Sequence, residues 1–314
     1  LPGMPNYRHY TVSAHDRAFA RVAAALTDED RLSAQDKLNP HTSGRTTSYI
    51  FPDETGIEAT GTVRYALNSP DRPDTAANAW LVDVTGPAWP LHPNDVHARV
   101  QELLDEGAQV AAADDGYLLL RAPETSSEGN MGDNLPEAFY TAWRAPESLP
   151  DVVTSVRFGD ALELLGYSLV DDANGDTTLQ MYWRADMPIT DELQLVIRYV
   201  DARGETVFDA LYYQPTTALW YPVNDWEPGE SVLVSSLPWQ IEGDQIDIVL
   251  GLASAEDANQ RLPVTVQAGD AASFEGESLL HLGTFERTQE ALGSRWRQVS
   301  GVKMPSLLDA RFGS

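Results

Sequence analysis

Apolar and polar residues alternate along Thr177–Gly204, and this pattern is the clearest structural signal in the chain. Leu179, Met181, Trp183 and Ala185 share one side, and Thr178, Gln180, Tyr182 and Arg184 the other. After a turn around Pro188, Leu193, Leu195, Ile197 and Tyr199 repeat the pattern against Gln194 and Arg198. A period of two predicts strands with one buried and one wet face. Two strands cannot hold together alone, so a second sheet is expected to cover them. Ile246, Ile248, Leu250 and Leu252 alternate in the same way, and Asn174-Gly175 and Arg203-Gly204 are hairpin signals. Residues 137–285 are therefore expected to form an all-β sandwich, of jelly-roll or immunoglobulin-like type.

The first part of the chain follows a different rhythm. Ser13 and Asp16 make a capping box for a helix whose apolar face is Phe19, Val22, Ala23 and Leu26. Arg31–Gln35 and Thr46–Phe51 are strand candidates, Thr62–Leu67 is a weaker one, and Ala79–Val84 is a short apolar run of the buried-strand kind. Residues 92–107 predict a helix, with Pro93 in its first turn, Gly107 at its end and Val96, Val100, Leu103 and Leu104 inward. Gln109–Ala113 and Tyr117–Arg121 predict a hairpin through Asp115-Gly116. Strands alternating with helices predict an α/β domain over 13–122, after a lead-in at 1–12. Residues 123–136 have linker composition, and 286–314 form a mildly basic tail with Arg287, Arg295, Arg297, Lys303 and Arg311.

Charge narrows the function classes. The 314 residues carry a formal charge of −27, and the only lysines are Lys37 and Lys303. Such a surface repels nucleic acid and anionic lipid. No apolar run is long enough to span a bilayer. Leu1-Pro2-Gly3 without an initiator Met suggests a mature or excised piece of a longer protein. Cysteine is absent, which removes disulfides and thiolate chemistry and leaves the redox compartment open.

Leu32-Ser33-Ala34-Gln35-Asp36, Pro40-His41, Ser43, Arg45 and Tyr49-Ile50-Phe51-Pro52 form one recognisable segment. Leu81 through Gly86, Trp89 through Asp95, and Asp115 through Leu120 continue it. Together they resemble part of an uncharacterised family of bacterial polytopic membrane proteins. That family is similar in topology to membrane glycosyltransferases that use lipid-linked sugars. The resemblance implies a segment that follows transmembrane helices and lies outside the cytoplasm. Phe158-Gly159-Asp160, Leu164 through Tyr167, Tyr182 through Ala185 and Trp226 through Glu230 resemble a β-sandwich appended to such proteins. The resemblance covers about residues 13–285 and carries over no catalytic residue. The membrane-spanning part has no counterpart here.

Three constellations could carry chemistry. Gln35, Asp36, His41, Arg45, Asp83 and His92 flank strand ends, where α/β sheets bind ligands. They could hold a phosphate or sugar or relay a proton; alternatively, His41 and Arg45 brace their loop and Asp36 pairs with Arg45. Asp172, Asn174 and Asp176 alternate like calcium ligands, yet the closing Glu of an EF-hand is lacking and Asn-Gly is an ordinary hairpin turn. No cofactor is expected beyond this one calcium candidate. Trp220, Tyr221 and Trp226, with Trp239 nearby, could stack sugars or mark an interface, or else plug the ends of the sandwich. Phosphate-loop, dinucleotide, GxSxG and HExxH motifs are missing.

The leading expectation is a non-catalytic extracytoplasmic segment of a membrane-associated protein that binds glycan or protein partners. It reaches the membrane only through a segment outside this chain. A self-assembling surface or filament subunit is the alternative, with homo-oligomers through sheet edges. A glycan- or sugar-phosphate-processing enzyme working at Asp36–Arg45 is the third reading.

Overall fold

The computed structural model describes residues 12–42, 48–52, 77–87, 91–123, 135–146, 148–172, 175–269, 272–273, 278–290 and 293–300. These are mostly β, arranged in three sheets. The chain divides into two compact units, Leu1–Ala142 and Trp143–Ser314.

Unit 1 opens with α1 (Ala14–Ala23). Ser13 Oγ accepts from the Asp16 N–H at 3.0 Å, and the Ser13 N–H donates back to the Asp16 carboxylate at 2.8 Å. Three short parallel strands follow: β1 (Leu32–Ala34), β2 (Ser48–Ile50) and β3 (Ala79–Asp83). Helix α2 is Pro93–Asp105; the side chain of His92 caps it, and Pro93, Val96, Val100 and Leu103 are buried on it. β4 (Gln109–Asp114) and β5 (Tyr117–Arg121) complete a sheet of order β2-β1-β3-β5-β4, in which β5 is antiparallel to both neighbours. β1 lies between β2 and β3, so the chain leaves β1 on one side and returns on the other. The carboxyl ends of β1 and β3 therefore face a topological switch point, the usual ligand crevice of open α/β sheets.

The β4–β5 hairpin brings Asp115-Gly116 to that same end. Asp115 has φ 49° and Gly116 φ 76°, the positive pair a tight twisted hairpin needs. A Cβ on Gly116 would lie 2.3 Å from the Thr85 methyl, so glycine is required by packing as well. Phe139–Arg144 is a strand candidate from its apolar alternation, but Glu137–Trp143 forms a 3-10 helix. Its fully buried Phe139 and neighbouring Ala138 accept hydrogen bonds from the Gly116 and Asp115 amides. The weak strand candidate at Thr62–Leu67 lies outside the described residues.

In unit 2, one sheet contains β6 (Val152–Phe158), β7 (Leu162–Asp171) and β8 (Thr177–Ala185). The other is built on β9 (Leu193–Asp201) and β10 (Thr206–Asp209). Later strands are β11 (Ser231–Ser235), β12 (Gln245–Ser254), β13 (Val264–Ala268), β14 (Ala272–Ser273), β15 (Leu280–Glu290) and β16 (Gly293–Ser300). The orders are β11-β8-β7-β6-β13 and β10-β9-β12-β15-β14, with β16 also on β15. Leu179, Met181, Trp183 and Ala185 are buried together, as their spacing predicts. β9 is buried more fully than alternation predicts. Val196 and Val200 pack with Val249, Ala253 and Leu279 into a second cluster. The Tyr167 hydroxyl donates to the Leu282 carbonyl at 2.5 Å, and the Trp296 indole donates to Asp171 at 3.0 Å. Both bonds join one sheet to the other. Part of the expected basic tail is thus strand β16, with the Arg287 guanidinium lying 4.6 Å over the Trp296 ring.

Candidate functional site

The switch-point end of the unit 1 sheet gathers side chains from four parts of the chain. His15, on the first turn of α1, lies between two carboxylates. Its Nδ1 is 2.9 Å from Asp115 Oδ2 and its Nε2 is 3.3 Å from Asp83 Oδ2. The ring stacks on Tyr117 with centroids 4.3 Å apart. Lys37, just past β1, places Nζ 2.7 Å from the same Asp83 oxygen. The other Asp83 oxygen accepts from the Thr85 amide at 3.0 Å and from the Thr85 hydroxyl at 2.7 Å. Finally, the Asp83 amide donates to Gln35 Oε1 at 2.9 Å, tying β3 to the end of β1.

These contacts fix protonation states. Burial alone would discharge His15, but its hydrogen bonds to Asp115 and Asp83 outweigh that effect and raise its pKa from 6.5 to about 9. For Asp83, burial opposes ionisation, yet His15 and Lys37 overcome it and hold the carboxyl well below the usual range. Burial, followed by the field of Asp83, Asp16 and Asp115, pushes the Tyr117 phenol up. At neutral pH the ring of His15 is a doubly bonded cation and Asp83 is an anion. The pair ties the first turn of α1 to the carboxyl end of the sheet, and neither member is poised to exchange a proton.

A pH dependence follows for unit 1. His15 has a raised pKa in the folded state, so its contribution is full below about pH 6.5 and is lost as pH rises through about 9. Asp83 is depressed, so its contribution is present above the unfolded carboxyl value and lost as acid protonates it. The His15 side chain is 32% exposed, and with solvent screening its effect is expected to be on the order of 1–2 kcal/mol. Urea titrations at several pH values, sampled by a hydrogen-exchange pulse at one common pH, should show unit 1 weakening from pH 6.5 to 9. His15→Gln should flatten that alkaline limb.

The residues expected from sequence are only partly brought together. Gln35 and Asp83 meet as described. Asp36 is exposed, its carbonyl accepting the Asn39 amide. His41 is exposed and meets Phe19 edge-on at 5.5 Å. His92 accepts the Asn94 amide through Nδ1 at 3.3 Å and serves as a helix cap. Arg45 lies outside the described residues, and so does Asn174. The flanking Asp172 uses its carboxylate to accept the Asp176 amide at 3.0 Å, as a hairpin turn does. Among the described residues, no group of three or more His, Asp or Glu is placed to hold a metal ion.

In the aromatic loop of unit 2 the two tryptophans are turned inward, as the plug alternative has it. Trp220 and Trp226 are buried, and the Trp226 indole donates to the Tyr221 carbonyl at 2.9 Å. The Tyr221 hydroxyl donates to Glu230 at 2.6 Å. The two tryptophan rings are enclosed, and Tyr221 is half-buried. Among the described residues of unit 2, the exposed aromatics are Trp239, 40% exposed, and Tyr213, 42% exposed. Both stack on the buried Phe208, at centroid distances of 4.4 and 5.8 Å.

No family model, curated protein or solved structure matches this chain.

Proposed function

We propose that the chain is a non-catalytic, extracytoplasmic segment of a membrane-associated protein, in which an α/β unit is followed by a β-sandwich unit that binds glycans. The parallel β1–β3 arrangement with α1 and α2 supports the first half of that architecture. The hydrogen bonds joining the two sheets of unit 2 support the second. The placement outside the cytoplasm rests on the family resemblance, and the ion-locked His15 and Asp83 favour a holding role for the switch-point cluster over proton transfer.

The observation that carries the binding assignment is the ring run Tyr213–Phe208–Trp239. A tryptophan backed by a buried ring at 22° is held flat without relying on its own mobility. Its exposed face offers apolar area to the C–H side of a sugar, and little ordering entropy remains to be lost on binding. The acidic body opposes anionic partners and leaves neutral glycans as the suited class.

The test is binding of the full chain to an immobilised panel of neutral oligosaccharides. Trp239→Ala should weaken the retained glycan about tenfold or more, the effect of losing a central aromatic contact. Trp226→Ala should instead lower thermal stability. Retention unchanged in Trp239→Ala would sink the assignment.

One observation favours a second reading, self-assembly. Val299 is 42% exposed on β16, which pairs only with β15 among the described residues. An edge strand with an exposed apolar side chain is a template for pairing with another copy. A concentration-dependent shift in size-exclusion chromatography that Val299→Lys abolishes would move the assignment to this reading.

A further inference from the structure

The exposed ring of Trp239 is anchored through its backbone to the first residue of β8. The Thr177 amide donates to the Trp239 carbonyl at 2.8 Å, and the Trp239 amide donates back to the Thr177 carbonyl at 3.0 Å. Thr177 is buried, and its hydroxyl donates to Asp171 Oδ1 at 2.7 Å. The indole N–H of Trp296, on β16, closes a triangle with them. It lies 3.0 Å from Asp171 Oδ1 and 3.1 Å from Thr177 Oγ1. The indole can only donate, and the Thr177 proton is committed to Asp171, so the three groups fix one another. A second tie reaches the chain beyond Trp239. Arg287 of β15, the register partner of Trp296, lies 4.6 Å over its ring and donates through Nη2 to the Ile241 carbonyl at 3.2 Å. One hairpin thus holds the Trp239 loop through Thr177 and through Ile241.

The outer part of that hairpin has little other support. β12 pairs with β15 only as far as Glu286, after which the Arg287 amide donates to the Asp244 carbonyl at 2.8 Å. Over Thr288–Glu290 the strand partner among the described residues is β16 alone. A two-stranded ribbon is marginal by itself. Its seating therefore depends on the Trp296 and Arg287 contacts, and it can open locally while the strands of the sandwich stay paired.

We propose that the β15–β16 hairpin is a latch for the Trp239 surface, with Trp296 as its positioning residue. The proposal rests on the reading of Trp239 as the glycan-binding ring. Seated, the hairpin fixes Thr177 and Ile241 and keeps Trp239 flat against Phe208. Unseated, Thr177 loses the indole donor, Ile241 loses Arg287, and the loop is released on both sides of Trp239. Only the seated form offers a held ring, so glycan affinity falls with the fraction of chains in that form. Trp296 touches no sugar in this scheme and acts through Thr177.

Amide exchange of the full chain is to be followed residue by residue by NMR, first without sugar. Trp296→Phe keeps an aromatic ring beside Arg287 and loses the N–H, so the Trp239 amide should exchange about tenfold faster. Thr177→Val should have a similar effect, and Thr177→Ser, which keeps the hydroxyl, should stay near the wild-type rate. Trp296→Ala removes ring and N–H together and should accelerate Trp239 exchange about a hundredfold or more. In every variant β9 and β12 should keep their protection, which a general loss of stability would not allow. Retention on immobilised maltohexaose, cellohexaose and mannohexaose is then compared. The sugar that the wild-type chain retains should be held about tenfold more weakly by Trp296→Ala. By linkage, that sugar should slow exchange of the Trp296 indole N–H in the wild-type chain. Three results would each overturn the latch: an unchanged Trp239 rate in both Trp296→Phe and Thr177→Val, equal acceleration throughout β9 and β12, or undiminished retention by Trp296→Ala. Faster Trp239 exchange in the variants, with no sugar retained by the wild-type chain, would support the latch and overturn the glycan assignment instead.

Discussion

Asp83→Ala is expected to destabilise unit 1 by about 3 kcal/mol, the largest effect of any single acidic substitution in that unit. The carboxylate is buried and receives His15, Lys37 and both donors of Thr85. Removing it leaves a half-buried imidazolium with Asp115 as its remaining acid partner, and two Thr85 donors without their acceptor. Lys37 is 40% exposed and can return to solvent, which keeps the loss below that of a fully enclosed pair. Asp83→Asn separates the contributions. It retains one oxygen for Thr85 and surrenders the charge, so it should cost less and should lower the pKa of His15. Asp36→Ala, an exposed change one residue from Gln35, should fall within about 0.5 kcal/mol of wild type. Urea midpoints read from unit 1 peptides by hydrogen exchange compare the three, and equal midpoints for Asp83→Ala and Asp36→Ala would disprove the account.

The same site shows what a sequence can and cannot display. Its scaffold was legible because periodicity and turn chemistry are local. The Ser13–Asp16 box, the α2 stripe of Val96, Val100 and Leu103, and the Asp115-Gly116 turn each lie within a short window. The site itself depends on long-range pairing. His15 meets Asp83 and Asp115 across separations of 68 and 100 residues, and in its own helix it is merely a polar residue in the first turn. Lys37 was visible only as one of two lysines. The alignment of Ser33 with Tyr49 and Trp80 was hidden for a related reason. Ser33, Tyr49 and Trp80 become neighbours only through the register of three strands, which no single window contains.

Other departures also have physical causes. Phe139 follows Pro136, whose carbonyl accepts the Phe139 amide and starts a 3-10 turn, so local chemistry overrode the apolar alternation of Phe139–Trp143. In β16 the alternation was present, with Trp296 buried and Arg297 exposed, but glycine, serine and arginine gave the segment the composition of a tail. Trp220 and Trp226 illustrate a general ambiguity. A cluster of large rings in sequence is equally suited to a surface platform and to an interior plug, and only packing distinguishes them.

Asp247→Ala should be the most damaging polar substitution in unit 2, costing about 3–5 kcal/mol. Asp247 lies on β12 opposite Thr284 of β15, and its Oδ1 is 2.6 Å from the Thr284 hydroxyl and 2.9 Å from Nε2 of the fully enclosed His281. All three are buried at the centre of their sheet, where solvent cannot replace a lost partner. Alanine would strand two donors on β15, whereas Asp247→Asn keeps an acceptor and should cost roughly half as much. The double variant with His281→Ala should fall well short of the sum of its parts, because both changes break one contact. Asp244→Ala, three residues earlier on exposed chain, is the control and should change little. Because β9 joins β12 to β10, which carries Phe208, the Asp247→Ala lesion should also loosen the backing of Trp239. Any glycan retention at the proposed Trp239 surface should therefore decline with unfolding of unit 2 in this variant and stay normal in Asp244→Ala. Matching urea midpoints for Asp247→Ala and Asp244→Ala, read on β12 and β15 peptides, would show that the buried trio does not hold the sheet together.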